Sequence, residues 1–472
     1  MKMVKSLLLG AAAGMVAVAG AQAADLPVKA KPVQYVKICS LYGAGFYYMP
    51  GTDTCIKIGG YVRAEVNVNA GGSYAVPAQL NLNNRNAFFQ NWRTRAAITM
   101  DARSQTEYGT LRSYLFISAT DNQSGFTGSG VGGPGNGTAA SGYNVIYAPV
   151  AFIQFAGFTA GKTDSFFDFD TQPYTNSSAY WSTNQGGNGI ELFAYTAQFG
   201  NGLSASIAAQ NADSSRLGIA SGPVTVAPDT LALGYGAAKP YANQQWPDII
   251  ANLRIDQAWG SAQIAGGIHQ VRAQDTLGIG GVAGDHPGDQ TGWLVGGGLR
   301  INLPMLGKAD YVMGAVNYAK GTIDPVAANE GAPNQEVTSG YPVTSAAVGV
   351  LADAVVTPGN NLDLTQTMSF TAGYEHHWNS QWRTSLWGDY GKVKYSDAAS
   401  LVLFPGGGSA NWSLWQIGSR TVWTPVANLD LSVEIMYNSM DGAAFTGAVT
   451  GLTASNENWV SGLFRVQRNF YP

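Results

Sequence analysis

From Cys55 onward the chain alternates. In Cys55–Asn67, Ile56, Ile58, Val62, Ala64 and Val66 fall on one face at period two, and Lys57, Tyr61, Arg63, Glu65 and Asn67 fall on the other. Such alternation marks a strand with one apolar and one polar wall. Asn86–Ala102 repeats it, with Trp92, Ile98 and Met100 set against Arg93, Arg95, Thr99 and Asp101. In Tyr108–Thr120, Arg112 opposes the face that carries Leu111, Leu115 and Ile117. A rhythm of two strands, a tight turn and a long irregular loop then follows. It predicts Tyr143–Phe155 with Phe158–Thr163, Ile190–Phe199 with Leu203–Gln210, and Ile249–Trp259 with Ser261–Arg272. Trp293–Leu303 with Lys308–Lys320, Thr365–Trp378 with Gln381–Lys394, and Asn411–Trp423 with Leu429–Asn438 continue it.

The final segment, Glu457–Phe470, places Val460, Phe464, Val466 and Phe470 on one face and Ser461, Arg465, Gln467 and Asn469 on the other. A last strand this long would expose an edge prone to aggregation unless it pairs with the first. Counted from Cys55 the series holds 16 strands. An even count returns both chain ends to one side, with short turns there and long loops opposite, as in bacterial outer-membrane barrels. The expected fold is therefore all-β: a 16-stranded antiparallel transmembrane β-barrel with short periplasmic turns and long extracellular loops. A barrel of that size leaves an aqueous channel. Trp259, Trp378, Trp382 and Trp423 beside the turns, and Tyr390 and Tyr437 toward the loops, fit two interfacial girdles. A soluble β-sandwich would also bury aromatics, but its strands average about 5–6 residues.

Composition agrees. Charged residues make up 12% of the chain, about half the usual share of roughly 25%. A lipid-facing belt in place of a charged surface accounts for the deficit, and 60 Gly, 23 Tyr and 12 Trp suit the same class. No later run of about 18 apolar residues predicts a spanning helix. Lys2 and Lys5, the apolar stretch Leu7 to Gly20, and Ala21-Gln22-Ala23 read as an export signal, so residues 1–23 leave and the mature chain starts at Ala24. An uncleaved anchor is the other reading. Residues 24–54 form a periplasmic segment and 55–472 the barrel. The formal charge of −4, more negative once Lys2 and Lys5 are gone, argues against nucleic acid. In an exported chain Cys39 and Cys55 predict a disulfide, worth about 3 kcal/mol in the chain-entropy model. Two free thiols are the alternative, and a metal site would need further ligands nearby.

The loops differ in kind. Asn211–Asp248 and Gly321–Leu364 are polar and rich in Gly, Pro and Ala, as surface loops are. Asp164–Gly189 opens with Phe166, Phe167 and Phe169 among Asp164, Asp168 and Asp170. Phenylalanines need a surface to pack on. Folded inward, this loop would find one on the inner wall and narrow the channel with its carboxylates.

Several segments resemble the alphaproteobacterial outer-membrane porins of the porin type 2 family. Tyr35–Cys39, Tyr42–Tyr48, Pro50–Cys55 and Gly60–Arg63 resemble that family's opening. Phe152–Phe158, Gly161–Asp168 and Gln467–Phe470 are similar to the same family, and the resemblance spans the whole mature chain. It implies a homotrimer of water-filled, 16-stranded channels whose third loop bends into the lumen. Its surroundings would be outer-membrane lipid and lipopolysaccharide. Phe464, Val466 and Phe470 would form the signal read by the barrel-assembly machinery, although Tyr471-Pro472 follow the final Phe.

A mechanism follows from these residues. Arg63, Arg93, Arg95 and Arg112 come from three neighbouring strands and point inward, so a basic wall is expected across from acidic loop 3. Crowded like charges need water, counter-ions or facing carboxylates. A transverse field across a wet constriction orients dipolar solutes. Arg254, Arg300, Arg383, Arg420 and Arg465 share the lumen with Glu65, Asp256, Glu375, Asp389 and Glu434, a mixture that argues against strong charge selectivity. The expected function is passive diffusion of ions and small hydrophilic solutes, with no cofactor. A solute-specific channel would need an aromatic track, and by parity only Trp387 and Tyr61 face inward. A surface adhesin would rely on the loops. A barrel enzyme would need a nucleophile and base, and none pairs with the four histidines.

Overall fold

In the computed structural model, the residues described here are 37–68, 90–122, 144–169, 189–212, 216–226, 233–235, 241–274, 286–323, 335–339, 345–445, 453–454 and 456–470. The expected export signal, Asp170 and Tyr471-Pro472 lie outside them.

The alternation predicts the barrel closely. The strands are β1 (Cys55–Val68), β2 (Gln90–Thr106), β3 (Gly109–Asn122), β4 (Asn144–Phe155), β5 (Phe158–Thr163), β6 (Ile190–Gly200), β7 (Leu203–Gln210) and β8 (Asp248–Gln257). They continue with β9 (Gly260–Val271), β10 (Gln290–Asn302), β11 (Tyr311–Lys320), β12 (Gln366–His377), β13 (Trp382–Lys394), β14 (Trp412–Val426), β15 (Leu429–Asp441) and β16 (Asn456–Asn469). Each pairs antiparallel with the next, and β16 returns to β1 in the register Tyr61↔Asn469 to Val68↔Gly462. The result is a closed 16-strand barrel. Closure satisfies every edge, which a strand in lipid requires.

Outward positions carry the apolar set. Val62, Trp92, Ile98, Ile264, Phe370 and Phe464 are all exposed on the outer face, where lipid would cover them. Trp259, Trp378, Trp382 and Trp423 are exposed beside the short turns, the last two with rings stacked 5.7 Å apart. The turns themselves are tight. Ala156 and Gly157 both have positive φ (50° and 88°), the conformation that a two-residue hairpin of matching twist demands.

The β10–β11 turn is pinned by a buried carboxylate. Asp310 accepts from the Tyr374 hydroxyl (2.7 Å), His376 Nδ1 (2.6 Å) and the His377 backbone N–H (2.8 Å). Burial works to raise its carboxyl, but these donors outweigh that and hold it at about 2. Strand parity sends the two histidine rings to opposite faces. At the end of β12 both approach Asp310 instead, His377 Nδ1 at 3.7 Å.

The described parts of the long loops depart from the surface-loop expectation. Leu217, Val350, Leu351, Leu403 and Phe404 join Trp412, Leu414, Met440 and Trp459 of the strand ends in one apolar cluster. The helix α1 (Asp397–Leu403), capped by Ser396, contributes to it. Fully buried Asp353 accepts from the Leu217 and Ile323 N–H groups and from the Tyr241 hydroxyl, at 2.9, 2.8 and 2.8 Å. Tyr241 also meets His269 Nε2 at 3.2 Å, and Asp248 meets His269 Nδ1 at 2.8 Å. Burial pushes the Asp353 carboxyl up against those bonds. Short apolar runs such as Ala354–Val356 disguise this second core, because the strands there are too short to display a period.

Candidate functional site in the lumen

Loop 3 leaves β5 after Thr163 and seats on β7–β10. The Ser165 hydroxyl donates to Gln210 Oε1 (2.9 Å), and Asn252 Nδ2 donates to the Phe166 carbonyl (2.6 Å). Gln263 Nε2 caps the carbonyls of Phe167 and Asp168 at 3.1 and 3.0 Å. Between these polar groups the inner wall carries an apolar patch: Ile250, Ala265, Leu294 and Ala319 cluster around Phe167. Two glycines of β10 make room. A Cβ on Gly296 would lie 2.8 Å from Phe167 Cζ, and one on Gly298 only 2.2 Å from Phe169 Cδ1. Phe167 and Phe169 are 2% and 4% exposed. Burying each such ring stabilises by roughly 1.5–3 kcal/mol, which offsets part of the cost of ordering the loop alongside its hydrogen bonds. Asp164 is exposed and Asp168 is half-buried.

The basic wall lies elsewhere in the ring. Arg63 of β1 donates to Gln467 Oε1 at 2.7 Å, and Arg95 of β2 donates to Thr120 Oγ1 at 2.8 Å. Glu65, 3% exposed, receives Arg465 of β16 through a charge-assisted bond and faces Arg93 at 3.5 Å. Arg420 of β14 is buried nearby, with Nη2 3.3 Å from Ser432 Oγ. Sequence parity includes Arg465 and Arg420 among inward residues but does not join them to this group.

Arg112 stands apart from Arg63, Arg93 and Arg95. The register places it opposite Arg103, close to the β2–β3 turn, whereas Arg95 lies opposite Thr120. It shares Asp101 with Arg103, both its bonds to the carboxylate being 3.0 Å. Parity gives the face of a strand residue, and only register gives its height. The expected four-arginine group thus resolves into an upper set of three and a separate lower cluster.

The N-terminal segment closes on that lower cluster. Cys39 and Cys55 form a disulfide. Within the loop it closes, the Tyr42 and Phe46 rings lie 5.6 and 5.0 Å from the Arg103 guanidinium. Inward aromatics are more numerous than parity alone suggests. Tyr114 stacks on Phe152 at 5.4 Å, with Arg112 at 5.2 Å from both, and Arg63 lies 4.8 Å over Tyr61. Among the described residues no group of three His, Cys, Asp or Glu side chains could hold a metal ion.

A closed barrel with an apolar outer belt and a charged interior defines an integral outer-membrane β-barrel protein. The family model described as Porin subfamily matches residues 25–463, and the chain belongs to that family. It is a bacterial outer-membrane protein, and the family comprises channel proteins, not enzymes. Porin Omp2b of Brucella abortus (strain 2308) is 32% identical over 263 residues, which span 55% of this chain and 64% of that one. Porin Omp2b of Brucella suis biovar 1 (strain 1330) is 34% identical over the same length and shares. The match thus spans just under two thirds of the curated relatives' length. The crystal structure of the outer membrane channel DcaP of Acinetobacter baumannii shares the fold at 14% identity and a TM-score of 0.57, covering 90% of this chain and 99% of that one.

Proposed function

We propose that the chain forms a water-filled channel for passive diffusion of ions and small hydrophilic solutes. The observation that carries this reading is the lumen charge. Arg112, Arg254 and Asp256 stand partly exposed on the inner wall beside the buried Glu65, Arg93 and Arg465, and a charged interior of this kind favours water over a dry core. The narrowest part lies between loop 3 and the wall of Arg63, Arg93 and Arg95. β1 and β9 stand half a turn apart in the ring of 16, which supports a transverse field between the arginines and the loop 3 carboxylates Asp164 and Asp168. Arg112 acts lower, at the periplasmic entrance. In the cell the mature chain begins at Ala24 after export and assembles as a homotrimer among lipid and lipopolysaccharide. The barrel-assembly machinery reads Phe464, Val466 and Phe470.

Single-channel recording in a planar bilayer tests this. Stepwise openings in groups of three, with a small reversal potential under a salt gradient, are the expected result. Arg93→Ala and Asp168→Ala should each change conductance and shift the reversal potential in opposite directions. Folded protein that never conducts would overturn the reading.

A further inference from the structure

The loop closed by Cys39 and Cys55 leans over the inner wall of β1–β3 and borders an open cavity of about 520 Å³. We infer that this cavity docks a small carboxylate with a planar apolar body. The inference deepens the channel reading, on which it rests for the solute's access, by naming a class of solute and a place where it pauses.

Three observations lead there. The first is charge. Both oxygens of Asp101 are taken by Arg103 (3.0 and 2.7 Å) and by Arg112 (3.0 and 3.0 Å). One carboxylate therefore serves two guanidinium groups. Lys57, also on the lining, gives its ammonium only to the Ala44 carbonyl at 3.4 Å and meets no carboxylate among the described residues. The cavity thus has an excess of positive charge, and Lys57 and Arg103 are partly exposed to it.

The second is surface. Tyr42, Phe46 and Tyr114 line the same cavity, the first two with ring centroids 5.8 Å apart. Rings give a planar solute an apolar face to lie against. A cation would face the charge excess, and a small anion such as acetate would leave the rings unused. The third is a spare donor. The Tyr42 hydroxyl, on a residue that lines the cavity, is buried and meets no hydrogen-bond partner among the described residues. It loses no bond by turning toward an acceptor. The volume lies within the roughly 300–1,000 Å³ of small-ligand sites.

The test is equilibrium binding to the full chain in detergent, followed by fluorine NMR line broadening of 4-fluorobenzoate. Binding in the millimolar range is expected, with displacement by benzoate and none by acetate. 4-Fluorobenzylammonium should not bind. Lys57→Gln, which removes the charge and keeps an N–H donor on the inner wall, should weaken binding about tenfold. Tyr42→Leu should weaken it by a similar factor. Equal binding of the ammonium analogue would overturn the inference, as would an unchanged affinity in both variants. Conductance is measured separately. A chain that conducts yet shows no 4-fluorobenzoate binding refutes the docking site and leaves the channel. A chain that binds with the expected pattern but never conducts supports the site and refutes the channel.

Discussion

The two sides of the lumen are kept in place by different forces. On β8–β10 the inner wall carries an apolar patch of Ile250, Ala265 and Leu294 beside the polar Asn252 and Gln263, and loop 3 covers it. On β1, β2 and β16 the wall is ionic, and Glu65 lies between Arg93 and Arg465. An apolar surface facing water gains by being covered, so it recruits a loop. A charged surface loses its hydration if covered, so Glu65, Arg93 and Arg465, themselves almost fully buried, offset that loss by pairing with one another. The asymmetry of the channel then follows from side-chain chemistry on opposite strands, with no need for a lid.

The largest expected effect breaks the ionic side. Glu65→Ala would leave Arg93 and Arg465 buried without their carboxylate, at a cost of about 3–5 kcal/mol. Urea unfolding in detergent should show it as a clear fall in the midpoint. An unchanged midpoint would mean that water and counter-ions already neutralise those arginines. Next comes the apolar side. Gly298→Leu puts a side chain where Phe169 sits, 2.2 Å from the nearest ring carbon at Cβ alone. The cost is roughly 1–3 kcal/mol, and loop 3 should come off the wall. Conductance should rise and loop 3 should become sensitive to protease. A closed, resistant loop would show that the hydrogen bonds from Gln263 and Asn252 suffice.

The third effect is pH-dependent and concerns the charged anchor beneath the apolar wall. Asp310 has its carboxyl held at about 2, below the ordinary 3.8. Its contribution is therefore present above the ordinary value and lost as the pH falls toward the folded one. Asp310→Asn should flatten the stability curve between about pH 4 and pH 2. Acid unfolding that is identical in the two proteins would remove Asp310 as an anchor. The smallest effect is Arg254→Gln. Arg254 pairs with half-exposed Asp256 at 2.9 Å, and a pair so open to water contributes at most about 1 kcal/mol. A larger loss would point to the contact of Arg254 with Phe169, 5.5 Å away.

Much of this was legible in the residues. Period two survives along the barrel because lipid tolerates few polar side chains, so Phe158–Thr163 and Leu203–Gln210 emerge with their observed limits. Phe166, Phe167 and Phe169 announced that loop 3 needs a surface. The identity of that surface stayed hidden in Gly296 and Gly298, since a glycine in a strand does not say whether it is a gap or a socket. Arg112 was assigned the right face and the wrong neighbours. Counting outward from the short β2–β3 turn sets it against Arg103, a step that parity omits. The loop core was illegible for another reason. Its residues come from segments far apart in sequence, and Asp353 becomes a hub only after they meet.

The place of the ionic wall in the chain has a consequence for biogenesis. The Arg465–Glu65 and Arg63–Gln467 bonds join residues 400 and 404 positions apart, across the β16–β1 seam. Bringing such distant residues together costs on the order of 5 kcal/mol in chain entropy, and the partners do not coexist until the whole polypeptide has arrived. An incomplete or unsealed intermediate therefore lacks the electrostatic character of the finished pore. The bonds that place charge on this wall also latch the barrel's last joint, so the lumen's charge pattern is completed in the same event that closes the barrel.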